Sequence, residues 1–276
     1  MIHWTDYEVG NHRTACPGCS RKAGDKTLGI TIEIDGKGVA HCFRCNYVET
    51  HRPDVGTIYR PGKAGVKAPA PAKHETLSEY GREIWSACRP LSGIALQYLQ
   101  ARRCAIPPSY GDLRWHPALK HPSGHVGPAL VGLITDVHTQ EPLSLHRTWI
   151  TATGKANIDT PRLLLRDHSI RNGVIRLWPD DEVNASLGIG EGIETCLSLA
   201  HVFWPVWATI DAGHLAKFPL LKGISTLVIA QDNDLAGIAA ATACAARWAA
   251  DGRDVRVTQQ STNDLNDAIT EEKCHE

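Results

Sequence analysis

GEGIETCLSL (residues 190–199) and VIAQDNDLAG (residues 228–237) decide the fold of this chain. Each is the end of a short apolar run that stops abruptly at an acid and continues with helix-forming residues. An apolar run too short for a buried helix and followed by a helical pattern reads as a buried parallel strand feeding a helix. Working outward, the pattern predicts strands at 186–190, 206–210, 225–231 and 254–258, and helices at 192–203 and 236–250. That alternation is a parallel α/β sheet of modest size. Carboxylates at the carboxyl ends of neighbouring parallel strands face one crevice, where open α/β sheets hold their ligands. Glu191 closes one strand, and Asp232 and Asp234 close another. Being two apart, the aspartates are expected to point to the same side. Grouped half-buried carboxylates call for a cation, and magnesium or manganese takes oxygen ligands of this kind. Gly192 and Gly237 open the following helices and leave room for close backbone approach.

Upstream, DLRWHPAL, ALVGLITDV, LSLHRTWIT and GVIRLWP between residues 112 and 179 read as strands of an antiparallel sheet, with TATGKAN (151–157) as a turn. LSEYGREIWSAC (77–88) and SGIALQYLQARRC (92–104) have helical spacing, with Ser92 as an expected N-cap. Residues 52–75 are rich in Pro, Gly, Ala and Lys, lack periodicity and read as a flexible linker. The segments are therefore 1–51, the linker 52–75, a helical and antiparallel basic domain 76–182, and the α/β segment 183–276. The fold class is α+β combined with α/β.

The first segment contains CPGC and CFRC. Cys16, Cys19, Cys42 and Cys45 form two two-residue knuckles able to place four thiolates around zinc, with Gly18 and Arg44 where backbone amides point at sulfur. A redox pair or two unrelated turns are the alternatives. A segment of about fifty residues with little core needs a staple, which favours structural zinc. Arg21, Lys22 and Arg44 ride on this segment with Lys26 and Lys37 beside Phe43 and Tyr47, a mixture suited to single-stranded nucleic acid or to a merely solvated face.

The chain has 276 residues, 42% of them apolar, with a net charge of −1. Residues 1–75 and 76–170 each carry +3, and residues 171–276 carry −7. A basic front and an acidic back suit a polyanion partner and a divalent metal. No long apolar run and no signal-peptide pattern are present, so a cytoplasmic protein with no membrane partner is expected. GTIYRPGKA (56–64) lacks the spacing and the Ser/Thr of a Walker A loop, so no nucleotide-driven motor is expected.

GEGIETCL at Glu191 and VIAQDNDLAG at Asp232 and Asp234 resemble the glutamate and Asp-x-Asp motifs of the Toprim domain. This fold is shared by primases, topoisomerases and certain nucleases. STNDLNDAI (261–269) is similar to the family's third acidic motif through Asp264, with Asp267 three residues on. LHRTWITATGKANIDTPRLLL (145–165) is similar to a stretch upstream of Toprim in primase-like proteins of phages and other mobile elements. A four-cysteine ribbon, a linker, a basic domain and then Toprim is the order of bacterial-type and phage primases.

The resemblance implies synthesis of RNA primers from nucleoside triphosphates on a single-stranded DNA template, with a replicative helicase supplied separately. It makes Glu191, Asp232 and Asp234 the catalytic and magnesium- or manganese-binding set, with Asp264 as an additional ligand. His146, Arg147 and Lys155 become candidates for triphosphate or template contacts, against the bland reading of a surface strand with a charged turn. The family commonly has an acid four residues after its glutamate. Here Thr195 stands there, with Glu194 one place earlier. The alternatives are a metal-dependent Toprim nuclease and a non-catalytic zinc-ribbon DNA-binding accessory. A topoisomerase fits least, since the remaining length holds no strand-passage domain.

Overall fold

The computed structural model describes residues 2–19, 25–42, 44–45, 47–53 and 73–271. They fall in two compact units, Met1–Pro71 and Ala72–Glu276. Most of the expected linker, residues 54–72, lies outside the described residues.

The first unit is a four-stranded antiparallel sheet in the order β1 (Gly10–Thr14), β2 (Leu28–Ile32), β3 (Gly38–Cys42), β4 (Val48–His51). Strict alternation along β2 turns Leu28, Ile30 and Ile32 inward, where they meet Ile2, Trp4 and Ala40. Cys16 and Cys42 are buried in the same cluster. Among the described residues six apolar side chains besides the cysteines are buried here, with Tyr7, Val9 and Tyr47 packed on them, a small core for this unit.

The second unit opens with α1 (Glu79–Ala87) and α2 (Ile94–Ala101). Ser78 caps α1 by accepting from the Gly81 amide at 3.2 Å. The expected cap on α2 is corrected: Gly93, at φ 53°, is the N-cap, and the Ser92 hydroxyl accepts from Trp115 Nε1 at 3.1 Å instead. A nine-stranded sheet follows. Its antiparallel half contains β5 (Leu113–Lys120), β6 (Val126–Asp136), β7 (Pro142–Trp149), β8 (Arg162–Leu164) and β9 (Gly173–Arg176). Its parallel half contains β10 (Ser186–Gly190), β11 (Val206–Ala208), β12 (Thr226–Ala230) and β13 (Asp254–Val257). The two halves are one sheet, ordered β13-β12-β10-β11-β9-β6-β7-β8 with β5 on β6. The junction is an antiparallel pairing of Trp207 with Arg176 and Ala208 with Ile175. Arg176 lies over the Trp207 ring at 4.7 Å and donates to Asp180 and Thr135, so the seam is also held by side chains.

Helices cover both faces of the parallel half. On one face α3 (Ile193–Leu199) and α2 pack Cys196, Leu197, Tyr98 and Leu99 against Ile175, Val206, Ala208 and Ala230. On the other, α4 (Ala212–Lys217) and α5 (Leu235–Ala250) bring Leu215, Ala241, Cys244 and Trp248 onto Leu187, Ile189, Leu227 and Ile229. Each such large side chain stabilises by roughly 1.5–3 kcal/mol when fully buried. A third cluster seats α1 on Val131, Leu145 and Trp149. The helix expected over 192–203 is shorter, and the strand expected to reach 210 ends at Ala208, because Ile210 takes a φ of 80°. A β-branched residue in the left-handed region cannot continue a strand. No helix among the described residues is long and apolar enough to cross a membrane.

Candidate active site

Strands β12, β10 and β11 run parallel in that spatial order, with Gly190 level with both Ala230 and Ala208. Three acids follow their ends: Asp232, Glu191 and Asp211. With Asp264, from the loop before α6 (Leu265–Glu271), they line a cleft of about 350 Å³. Arg102, Lys155 and Arg162 line the same cleft.

Burial pushes the Glu191 carboxyl up to about 7, and the charges of Asp232, Asp234 and Asp211 add to the effect. Its Oε1 is buried with no hydrogen-bond partner among the described residues. Burial, then Asp264, pushes Asp232 up to about 6, opposed by the Thr195 hydroxyl at 3.4 Å. An orphaned carboxylate oxygen beside other carboxylates is what a divalent cation satisfies, so these residues fit magnesium or manganese. Glu191, Asp232 and Asp264 would hold it.

Asp234 stands differently. Its Oδ1 accepts from the Gly237 amide at 2.7 Å as the N-cap of α5, and it does not line the cleft, although its charge is felt by Glu191. Asp264 caps α6, accepting from the Asp267 amide at 2.8 Å, and still faces the cleft. Asp267 turns to Arg102 at 3.6 Å. Glu194 lines the same cleft, but its oxygens are already engaged: Tyr98 donates to its Oε1 at 2.7 Å and Arg162 to its Oε2 at 2.9 Å, with Lys155 Nζ 3.8 Å from Oε1. Burial would raise this carboxyl, yet Arg162, Lys155 and Tyr98 bring it down to about 2.

The basic candidates separate. Lys155, on the turn after β7, reaches the cleft. His146 and Arg147 are each only 6% exposed, so β7 is an interior strand and not a charged surface strand. His146 lies near Arg162, Glu194 and Lys155, with burial lowering its pKa to about 4, which leaves it neutral. Arg147 projects to the opposite face, 5.5 Å over the Trp149 ring, and donates to the Leu164 carbonyl at 2.8 Å. Arg102, Arg162 and Asp211 are additions the structure makes. Asp211 carried a readable signal, since VWATID is another apolar run ending in acid. Arg162 lies in the quoted 145–165 stretch but on a strand too short for its periodicity to show.

Gly237 is required where it stands: a Cβ there would lie 2.5 Å from the Asp232 carbonyl oxygen, whereas one at Gly192 would meet nothing closer than 3.5 Å. Gly237→Ala is expected to displace Asp232 and lower both stability, by about 1–3 kcal/mol, and metal affinity, while Gly192→Ala leaves both near wild type. Denaturant melts with and without manganese check the contrast.

In the first unit, one ligand atom from each of Cys16, Cys19, Cys42 and Cys45 lies within 4.8 Å of every other. The closest sulfurs are 3.5 Å (Cys19–Cys42) and 3.6 Å (Cys16–Cys45) apart. Zn–S bonds of about 2.3 Å in a tetrahedron require about 3.8 Å between sulfurs, so the cluster fits zinc. The Gly18 and Arg44 amides each point at a sulfur at 3.4 Å, as the knuckle reading expects. The Arg44 guanidinium is engaged with the buried Asp25 at 2.7 Å and the Cys19 carbonyl at 3.1 Å. Arg21, Lys22 and Phe43 lie outside the described residues.

A family model for the Toprim domain matches residues 186–273, and one for a domain of unknown function, DUF7146, matches residues 75–177. No curated protein matches the sequence. Among solved structures, the chain is similar to the primase fragment of the bacteriophage T7 primase-helicase, at 15% identity and a TM-score of 0.46 over 95% of each chain. It is also similar to the zinc-binding and RNA polymerase domains of the Aquifex aeolicus primase, at 14% identity and a TM-score of 0.42 over 96% of this chain and 77% of that one. A DNA primase domain from Pseudomonas aeruginosa matches at 14% identity and a TM-score of 0.37, over 66% of this chain and 56% of that one. The motif acids sit at the ends of β10 and β12, the strands whose apolar runs introduced them, and the family match begins at the first residue of β10. Residues 186–273 of this chain are a Toprim domain.

Proposed function

We propose that the protein is a DNA primase that joins nucleoside triphosphates into short RNA primers on single-stranded DNA, for replication of a phage, plasmid or other mobile element. The observation that carries this reading is the pairing, in one cleft, of a carboxylate cluster with three cations. A metal centre alone needs only the acids. A substrate that brings several phosphates to a metal needs both.

Magnesium or manganese, when bound, neutralises the polyphosphate and acidifies the attacking hydroxyl. Glu191, Asp232 and Asp264 would hold the cation, with Asp234 adding negative potential from its cap position. Glu191, whose protonation midpoint lies near neutrality, takes the proton from the primer 3′-hydroxyl on the carboxylate it shares with the cation, as the new phosphodiester forms and pyrophosphate leaves. Lys155, Arg162 and Arg102 hold the triphosphate oxygens. The zinc ribbon contacts the template, and strand separation is left to a separate helicase.

Incubation with single-stranded DNA, labelled ribonucleotides and magnesium or manganese tests this. Labelled short RNA that depends on template and metal is the expected product. Shortened DNA without label incorporation would make the protein a Toprim nuclease. Neither product would leave it a DNA-binding accessory.

A further inference from the structure

Glu194 has no part in the reaction as described, yet it lines the cleft and holds three partners there. It sits in α3, a helix buried along its whole length, and is only 6% exposed. A lone buried carboxylate is strongly disfavoured, so its partners matter. They come from elements far apart in sequence: Tyr98 on α2, Lys155 on the turn after β7, and Arg162 at the start of β8. Tyr98 is itself fully buried, which fixes one end of the network in the core.

The two cations are not used up by this contact. Arg162 and Lys155 are 41% and 39% exposed, and both line the cleft that Glu191 and Asp232 enter. One carboxylate therefore holds two cations, leaving positive charge and free N–H donors facing the metal-binding acids. Long cationic side chains lose rotamer freedom on gripping a ligand, and holding them beforehand removes part of that cost.

We propose that Glu194 is a positioning residue that fixes Lys155 and Arg162 as a phosphate-binding wall opposite the acids, and that this wall selects a nucleoside polyphosphate. The inference rests on the primase reading of the cleft. Glu194 acts on ligand affinity through the two cations. It leaves the metal alone.

The test uses the full chain, manganese, and α,β-methylene ATP as a probe that cannot be turned over. Glu194→Gln keeps the length of the side chain and an acceptor for Tyr98 but removes the charge. It is expected to leave manganese affinity unchanged and to weaken the probe about tenfold, the scale of a lost charge-assisted contact. In primer synthesis the loss should appear in KM for the nucleotide more than in kcat. In a chain already carrying Lys155→Gln and Arg162→Gln, adding Glu194→Gln should have no further effect on the probe, because the residues it positions are gone.

An equal loss in that background would overturn the inference, as would unchanged probe affinity in the single variant. Loss of manganese as deep as in Asp232→Asn would make Glu194 a metal ligand and overturn it too. If Glu194→Gln fails to fold, the Lys155→Gln, Arg162→Gln chain decides: full probe affinity there removes the wall. Failure of the wild-type chain to bind manganese would instead overturn the metal reading of the acids, and the proposed function with it.

Discussion

Asp232→Asn is expected to abolish primer synthesis, by at least about a hundredfold, while the protein stays folded. The substitution keeps the shape and one carbonyl acceptor for the Thr195 hydroxyl, and removes one charge from the cleft. Manganese binding, read by calorimetry, should weaken in parallel. Metal-free stability should stay level or rise. The ionised Asp232 is disfavoured by burial and by Asp264, so removing its charge relieves the cleft.

The same shifts fix a pH dependence. Asp232 near 6 and Glu191 near 7 lie above unfolded values of about 3.9 and 4.3. Between those limits the folded metal-free protein binds protons that the unfolded chain does not. Its stability therefore rises as pH falls from about 7 toward 4, and Asp232→Asn flattens that slope. Glu191→Gln should also stop synthesis, with a smaller effect on metal binding if its main work is as a base. Near-normal synthesis by Asp232→Asn would falsify the catalytic assignment.

Loss of any thiol of the four-cysteine cluster has the second large expected effect, and it is local. Cys42→Ser removes one sulfur of the four-cysteine cluster that fits zinc, and Cys42 is also part of the buried core of the first unit. Structural zinc sites of this type contribute about 10–16 kcal/mol of apparent binding free energy at neutral pH, which is folding free energy where no site preforms. The small apolar core among the described residues of this unit is expected not to offset its ordering alone. The variant should lose zinc, and amide protection should vanish across β1 to β4 while persisting through the sheet of the second unit. Hydrogen exchange with elemental analysis reads both. Protein purified under reducing conditions without chelator that contains no zinc, yet keeps a protected first unit, would remove the metal from the account.

Local patterns carried much of this molecule. The cysteine knuckles were legible because a four-residue turn fixes where both sulfurs and the intervening amides point. Glu191 and Asp232 were legible because an apolar run places the residue that ends it at the rim of a sheet. The strand–helix alternation from residue 186 onward was legible for the same reason, since buried strands and amphipathic helices impose their own periods. What depends on pairing between distant segments was not. The pattern of β9 does not say that it will join an antiparallel half to a parallel one, and β8, at three residues, has no period to read. Tertiary structure alone brought Arg102 and Arg162 into the cleft of the acids, beside the Lys155 that the motif resemblance had marked, and gave Glu194 to the cations. It also made Asp234 the N-cap of α5, outside the cleft that Asp264 lines. A side chain's type is written locally, but its direction is set by the elements packed around its backbone, and those arrive from elsewhere in the chain.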